Sequence, residues 1–188
     1  MSQLTENLTV TSQQAKPAIK AAMLAGRPSF LWGPPGVGKS ELVEEIATEM
    51  GNCLVIDLRM AQMEPTDIRG IPFFNKDLGV MDWAPPIELP SEELAAQYDK
   101  IILFLDEMNS APPAVQAAGY QLVLNGRVGK YILPKNVHIV AAGNRDSDKG
   151  VTYRMPMPLA NRFIHLEMRP DFTSWQNWAI VNEVHEDV

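Results

Sequence analysis

The chain has 188 residues, 46% of them hydrophobic and 21% charged, with a formal net charge of -7, which fits one globular domain with an ordinary core. The acidic balance excludes a general basic footprint for nucleic acid, leaving at most a local patch acting against the overall field. No run approaches the roughly 18 apolar residues of a membrane span, the start Met1-Ser2-Gln3-Leu4-Thr5-Glu6 lacks a leader pattern, and the single Cys53 has no internal partner, so a cytosolic, reducing location is expected.

In chain order, residues 1–10 read as a loosely held polar arm, and residues 1–14 as an arm preceding the main domain. A helix is predicted from a Thr11 or Ser12 cap through Ile19, Met23 and Leu24, stopped by Gly26, with Pro17 tolerated only near its start. Phe30 to Trp32 form a short, fully apolar strand of the buried parallel kind. Directly after it stands Gly33-Pro34-Pro35-Gly36-Val37-Gly38-Lys39-Ser40, a complete G-x-x-x-x-G-K-[ST] loop in strand-loop-helix context. Pro-Pro-Gly is also an ordinary turn, but the whole ordered octapeptide outweighs that reading. Its glycines let backbone NH groups turn inward to cradle phosphate oxygens, Lys39 can reach the β and γ phosphates, and the Ser40 hydroxyl can hold Mg²⁺. The following helix, Ser40 to Met50, puts Leu42, Val43 and Ile46 on one face and Glu41, Glu44, Glu45 and Glu49 on the other. Glu41 directly follows the loop and joins the candidate nucleotide-binding set.

Leu54 to Leu58 predict a second buried strand, so the chain opens with a β-α-β unit. Between Met60 and Pro90 the texture changes to many prolines and glycines, with a hairpin predicted over Ile71 to Phe74 and Gly79 to Trp83 around Asn75-Lys76-Asp77. So long an irregular insertion is usually functional; its apolar residues Ile71, Phe73, Phe74, Val80, Met81 and Trp83 serve equally well to pack the segment onto the core. Ser91 caps a short helix. Ile101-Ile102-Leu103-Phe104-Leu105-Asp106-Glu107 then describes a central strand delivering two carboxylates to the sheet edge where ligands bind. Asp106 is the candidate magnesium acid and Glu107 the candidate base for an attacking water. A helix from Ala114 to Leu124 leads into a second, locally basic hairpin with Arg127, Lys130 and Lys135, either a solvated turn or a gripping loop. Val137 to Ala142 predict a further strand ending in Gly143-Asn144, where Asn144 can reach a γ phosphate or the water. His138, without a ligand-spaced partner, reads as structural.

The ordered set Gly-Pro-Pro-Gly-Val-Gly-Lys-Ser, Leu103-Phe104-Leu105-Asp106-Glu107-Met108-Asn109, Ala141-Ala142-Gly143-Asn144 and Leu159-Ala160-Asn161-Arg162-Phe163 resembles AAA+ ATPases. Within them it is similar to the MoxR-like and dynein-related branch, through Pro65-Thr66-Asp67-Ile68-Arg69-Gly70, Asp106 to Pro113, and Asn125-Gly126-Arg127. The resemblance covers roughly residues 15 to 170. It implies a phosphate-loop α/β domain with a doubly wound, parallel, five-stranded sheet and two hairpin insertions. Carried over by position, it makes Lys39 the phosphate lysine, Ser40 and Asp106 the magnesium holders, Glu107 the base and Asn144 the first sensor. Arg162, with Arg154 as the other candidate, matches the arginine presented to a neighbouring subunit's ATP; Asn161 stands where relatives often carry Asp. After the last predicted strand, Phe163 to Met168, residues 171–188 resemble only the beginning of a helical lid, so a truncated chain or a lidless form is expected.

The function so implied is Mg²⁺-dependent ATP hydrolysis in a ring, a hexamer, that remodels or matures a protein, with a von Willebrand A domain partner implied by resemblance alone. A nucleic-acid motor or nuclease accessory, and a nucleotide-gated scaffold that scarcely turns over, are the alternatives.

Overall fold

Apolar runs bounded by glycine, proline and capping residues set the element boundaries. The computed structural model describes residues 8–145, 152–153 and 155–184. Its elements in chain order are β1 (Leu8–Val10), α1 (Ser12–Leu24), β2 (Ser29–Trp32), α2 (Lys39–Met50), β3 (Cys53–Arg59), α3 (Pro65–Arg69), β4 (Ile71–Asn75) and β5 (Val80–Ala84). There follow α4 (Glu92–Ala95), β6 (Lys100–Asp106), α5 (Pro113–Asn125), β7 (Arg127–Val128), β8 (Tyr131–Ile132), β9 (Val137–Gly143), α6 (Met157–Ala160), β10 (Ile164–Met168) and α7 (Phe172–Val181).

The central sheet is parallel throughout and runs β1-β10-β2-β9-β6-β3. It therefore has six strands rather than the five expected. The extra one comes from residues 8–10, which are not a loose arm: Leu8, Thr9 and Val10 pair with Leu166, Glu167 and Met168, and Val10 is buried. Thr11 then caps α1 in a reciprocal box, its hydroxyl accepting from the Gln14 NH while the Gln14 side chain accepts from the Thr11 NH.

Strand alternation splits the core between the two faces of the sheet. Ile102 and Phe104 of β6 pack with Ile19 of α1 and Leu42 and Ile46 of α2 on one side. Ile101, Leu103 and Leu105 pack with Met108, Val115 and Leu122 of the α5 side on the other. Burying each of these large side chains contributes about 1.5–3 kcal/mol. Because every strand points the same way, the carboxyl ends of β2, β6 and β9 open onto one edge, where a ligand crevice belongs in such sheets.

Two antiparallel hairpins stand off this frame. In β4-β5, Asn75 Oδ1 accepts from the NH groups of Asp77 and Leu78 at 3.1 and 3.2 Å, which closes the turn. The apolar side chains of this hairpin are not packed onto the core: Phe74 is 58% and Met81 63% exposed, and Ile71, Phe73, Val80 and Trp83 are exposed as well. A two-stranded ribbon over which, among the described residues, no helix is laid cannot bury both of its faces. The second hairpin, β7-β8, follows α5 through Gly126, which holds the left-handed conformation that ends the helix. Lys130 of the β7-β8 turn forms an ion pair with Asp82 of β5, and the Tyr131 hydroxyl donates to Pro90 O at 2.8 Å. The Lys130 charge is thus engaged with the first hairpin rather than left as part of a basic patch.

Among the described residues no helix is long and apolar enough to cross a membrane. Cys53 is half-buried, and burial pushes its thiol pKa up, as suits a packing residue rather than a nucleophile. His138 is held below the usual imidazole pKa by burial and by Lys100, in keeping with a structural role.

Candidate nucleotide site

The loop between β2 and α2 is shaped by its glycines. Gly36 and Gly38 have φ of +76° and +89°, which side-chain-bearing residues rarely adopt, although a Cβ at either would meet no atom within 4 Å. Conformation, not space, demands glycine there. Gly33 is different: a Cβ would press on Met168 O and Val37 Cγ1, both at 3.1 Å, so the start of the loop is packed against β10. Gly33 NH also donates to Gly143 O at 3.3 Å, tying the loop to the end of β9. Pro34, Pro35 and Val37 complete the bend, and Lys39 opens α2 with Glu41 in its first turn.

Lys39, Asn144, Ser40 and Asp106 meet at this point, with Glu107 beside them. The Lys39 ammonium donates to Gly33 O at 2.8 Å, to Pro34 O at 3.1 Å and to Asn144 Oδ1 at 3.3 Å. The Ser40 hydroxyl faces Asp106 Oδ2 at 3.4 Å. Glu107 has φ of +54°, a left-handed conformation worth about 1–3 kcal/mol of strain for a residue with a side chain. Its NH donates to Asp106 Oδ1 at 2.8 Å and its carbonyl accepts from Ser110 NH at 2.9 Å, which hold the corner in place. On the adjacent strand, partial burial and then the Asp106 carboxylate raise the pKa of Asp57, with Arg59 opposing and Glu44 and Glu107 adding. The negative charge gathered here suits a cation. Among the described residues no three acidic, histidine or cysteine side chains form a self-sufficient metal cage. A hydroxyl and one carboxylate fit Mg²⁺, which is usually bound by one or two carboxylates with phosphate and water completing its shell.

Arg162 is not part of this cluster: it lies in the exposed turn between α6 and β10, its NH donating to Leu159 O at 2.8 Å. Arg154 lies outside the described residues.

Several residues of the site were not singled out from sequence. Trp32 Nε1 donates to His165 Nδ1 at 2.9 Å, and with Ala160 O at 2.7 Å from Nε2, His165 is the neutral tautomer that donates there. This joins the strand feeding the phosphate loop to the turn that carries Arg162. Arg145, next to Asn144, pairs with Glu167 of β10 at 3.0 Å. Beside the loop lies a cleft of about 940 Å³, bounded by Gln13 and Lys16 of α1, by Pro35 and Glu41, and by Trp175 and Trp178 of α7. That volume is at the upper end of the roughly 300–1,000 Å³ typical of small-ligand sites. Trp178 Nε1 is buried without a hydrogen-bond partner among the described residues. The apolar spacing of α7 was legible; its place against the phosphate loop was not.

Residues 28–163 match the AAA domain family, dynein-related subfamily. No curated protein matches the chain. Among solved structures it is similar to a protein of Cytophaga hutchinsonii ATCC 33406 provisionally described as an ATPase, with a TM-score of 0.65 at 19% identity. The likeness takes in 95% of this chain but only 53% of that one, so the present chain spans about half the length of that protein. At such identity the likeness speaks for the fold. The match over residues 28–163, most of the chain, settles its family: it belongs to the dynein-related AAA domains and is an AAA-type ATPase module.

Proposed function

We propose that this module hydrolyses ATP with Mg²⁺ and does so within a ring, a hexamer, that remodels or matures a protein partner in the manner of MoxR-like proteins. The observation that carries the reading is the meeting of Lys39, Asn144, Ser40 and Asp106 at one sheet edge, with Glu107 on the adjoining strained corner. Backbone NH groups of residues 36–40 and the positive end of α2 bind the phosphates. Lys39 exchanges loop carbonyls for phosphate oxygens, a charge-assisted bond of the stronger kind. Ser40 and Asp106 are the holders of Mg²⁺, which when bound supplies charge neutralisation at the β and γ phosphates. Glu107 accepts the proton of the attacking water at its carboxylate, and Asn144 orients that water or the γ phosphate. The cleft walled by Trp175 and Trp178 takes the nucleoside.

Arg162, exposed and outside the cluster, suits service to a neighbouring subunit, where a guanidinium on the γ phosphate contributes roughly 10³ to 10⁵ in rate. The apolar β4-β5 hairpin is the surface offered to the protein partner, since contiguous exposed apolar patches mark interaction sites. The nucleic-acid alternative is weaker, because Lys130 is already paired with Asp82 and the chain is acidic overall. A von Willebrand A domain partner, cytosolic location and residues 171–188 as the start of a lid belong to the same reading.

Mixing two inactive variants tests it. Arg162→Ala retains its own phosphate loop and base, while Glu107→Gln retains the arginine. Each alone is expected to lose ATPase activity, and a mixture to regain part of it. Two inactive variants that stay inactive when mixed, beside a wild type whose specific activity is independent of protein concentration, would exclude a site completed across subunits.

A further inference from the structure

Asn109 and Gln116 are buried to 2% and 3% exposure, although amides are costly to bury unless fully bonded. In both, the amide nitrogen and the amide oxygen are hydrogen-bonded. Asn109 Nδ2 donates to Asn144 O at 2.7 Å while Asn109 Oδ1 accepts from Asn144 NH at 3.1 Å, so one side chain grips both backbone polar groups of a single residue. The Asn109 carbonyl accepts from Tyr153 NH at 2.7 Å and from Gln116 Nε2 at 3.3 Å. Gln116 Nε2 also donates to Ala111 O at 2.9 Å, and its Oε1 accepts from the Tyr120 hydroxyl. Burial pushes the Tyr120 pKa up to about 12, so that hydroxyl stays a donor.

The fit leaves no slack. A Cβ at Gly143 would stand 2.3 Å from Asn109 Oδ1 and 2.9 Å from its Cγ, so the strand can pass only as glycine. On the far side, Asn144 Oδ1 meets Lys39 Nζ at 3.3 Å. A backbone shift of about 1 Å at Asn144 would break that contact, and misplacements of that size cost on the order of 10²-fold in rate.

We propose that Asn109, held from behind by Gln116, is a positioning residue that fixes Asn144 against Lys39 for the hydrolytic step. This rests on the reading of Asn144 given under the proposed function. Asn109 acts through Asn144 and touches neither phosphate nor water. Its backbone carbonyl also accepts from Tyr153 NH, so the chain on both sides of residues 146–151 is tied to one residue.

The test is a double-mutant cycle on the full chain, measuring thermal unfolding, equilibrium binding of ATP and kcat. Asn109→Asp keeps the shape but cannot donate to Asn144 O. It is expected to lower kcat about 10- to 100-fold with ATP affinity within about threefold of wild type. Asn144→Ala is expected to show a loss of similar size, and Asn109→Asp added to it to cost no more than about threefold further, because both act through one contact. Independent, multiplying losses, an undiminished kcat in Asn109→Asp, or an Asn144→Ala variant as active as wild type would each overturn the assignment. So would a fall in ATP affinity as large as that in kcat. Should Asn109→Asp not fold, Asn109→Ser, too short to grip both groups of Asn144, is judged by the same criteria. A wild type that turns over no ATP would overturn the proposed function along with this assignment; an active wild type, impaired at Asn144→Ala and intact at Asn109→Asp, would overturn only the latter.

Discussion

The edge of the sheet and the β4-β5 hairpin are built on opposite plans. At the edge, polar groups are held by specific partners: Asn109 clamps Asn144, Asp106 holds the Glu107 NH, and the loop carbonyls engage Lys39. The hairpin exposes apolar side chains on both faces, and its ties to the second hairpin include the Asp82–Lys130 ion pair. Preorganised dipoles need a rigid, dry scaffold, which the two-sided core supplies at the edge. A surface that meets a partner is better placed where its own stability is local and low.

That contrast can be broken at either end. The largest effect is expected at Lys39→Ala, which leaves the fold intact while weakening ATP binding at least about 30-fold in titration, the cost of losing a partly buried charge partner. If the variant bound ATP as wild type does, the edge would not be the nucleotide site.

Gly70→Ala comes next. A Cβ there would stand 1.9 Å from Ala84 O at a φ of +82°, so the base of the hairpin must shift. Protease cleavage within residues 71–84 is expected to quicken several-fold, with unstimulated ATPase activity changed less than about twofold. A parallel loss of activity would show that the hairpin and the edge are one unit.

Phe74→Ser with Met81→Ser is milder. Both side chains are exposed, so unfolding free energy measured in urea should change by less than about 0.5 kcal/mol each. A destabilisation several times larger would mean that the hairpin is buried in the assembled state or against the core.

A further small effect is electrostatic. Lys16 and Lys20 of α1 bind Glu49 of α2 at 2.8 and 2.5 Å, and those hydrogen bonds hold Glu49 down from 4.5 to about 2. A depressed carboxylate contributes stability that is present above its unfolded pKa and fades as pH falls from about 4.5 towards 2. Burial pushes the Lys16 pKa down, but its bonds to Glu45 and Glu49 outweigh this and raise it, so its share persists up to pH 10.5 and is lost above. Both ends are solvent-screened. Glu49→Gln should therefore cost less than about 1 kcal/mol near pH 7, and the difference should vanish in strong acid and shrink in high salt. A difference that persisted unchanged at pH 2 would assign the effect to packing.

The edge was largely legible in sequence because its chemistry is local. A phosphate loop needs glycine at fixed offsets, and an apolar strand ending in Asp106-Glu107 declares where its carboxyl end lies. What escaped was long-range. Leu8–Val10 is too short to show a period, and it becomes a strand only because β10 offers an unpaired edge. Asn109 appeared as part of a motif, but its grip on the end of β9 depends on how two distant loops meet. The His165–Trp32 bond and the place of Trp178 are tertiary in the same way. The apolar residues of β4 and β5 carry no mark that separates a buried ribbon from an exposed one, since the difference lies in what is packed against them.

The account turns on Glu107, and steady-state ATPase activity with Mg²⁺ of the wild type beside Glu107→Gln tests it most directly. Wild-type turnover is expected, with the variant still binding ATP but at least about 100-fold slower, the scale of a lost general base. A wild type that binds ATP yet never turns it over, or a variant as fast as wild type, would contradict it.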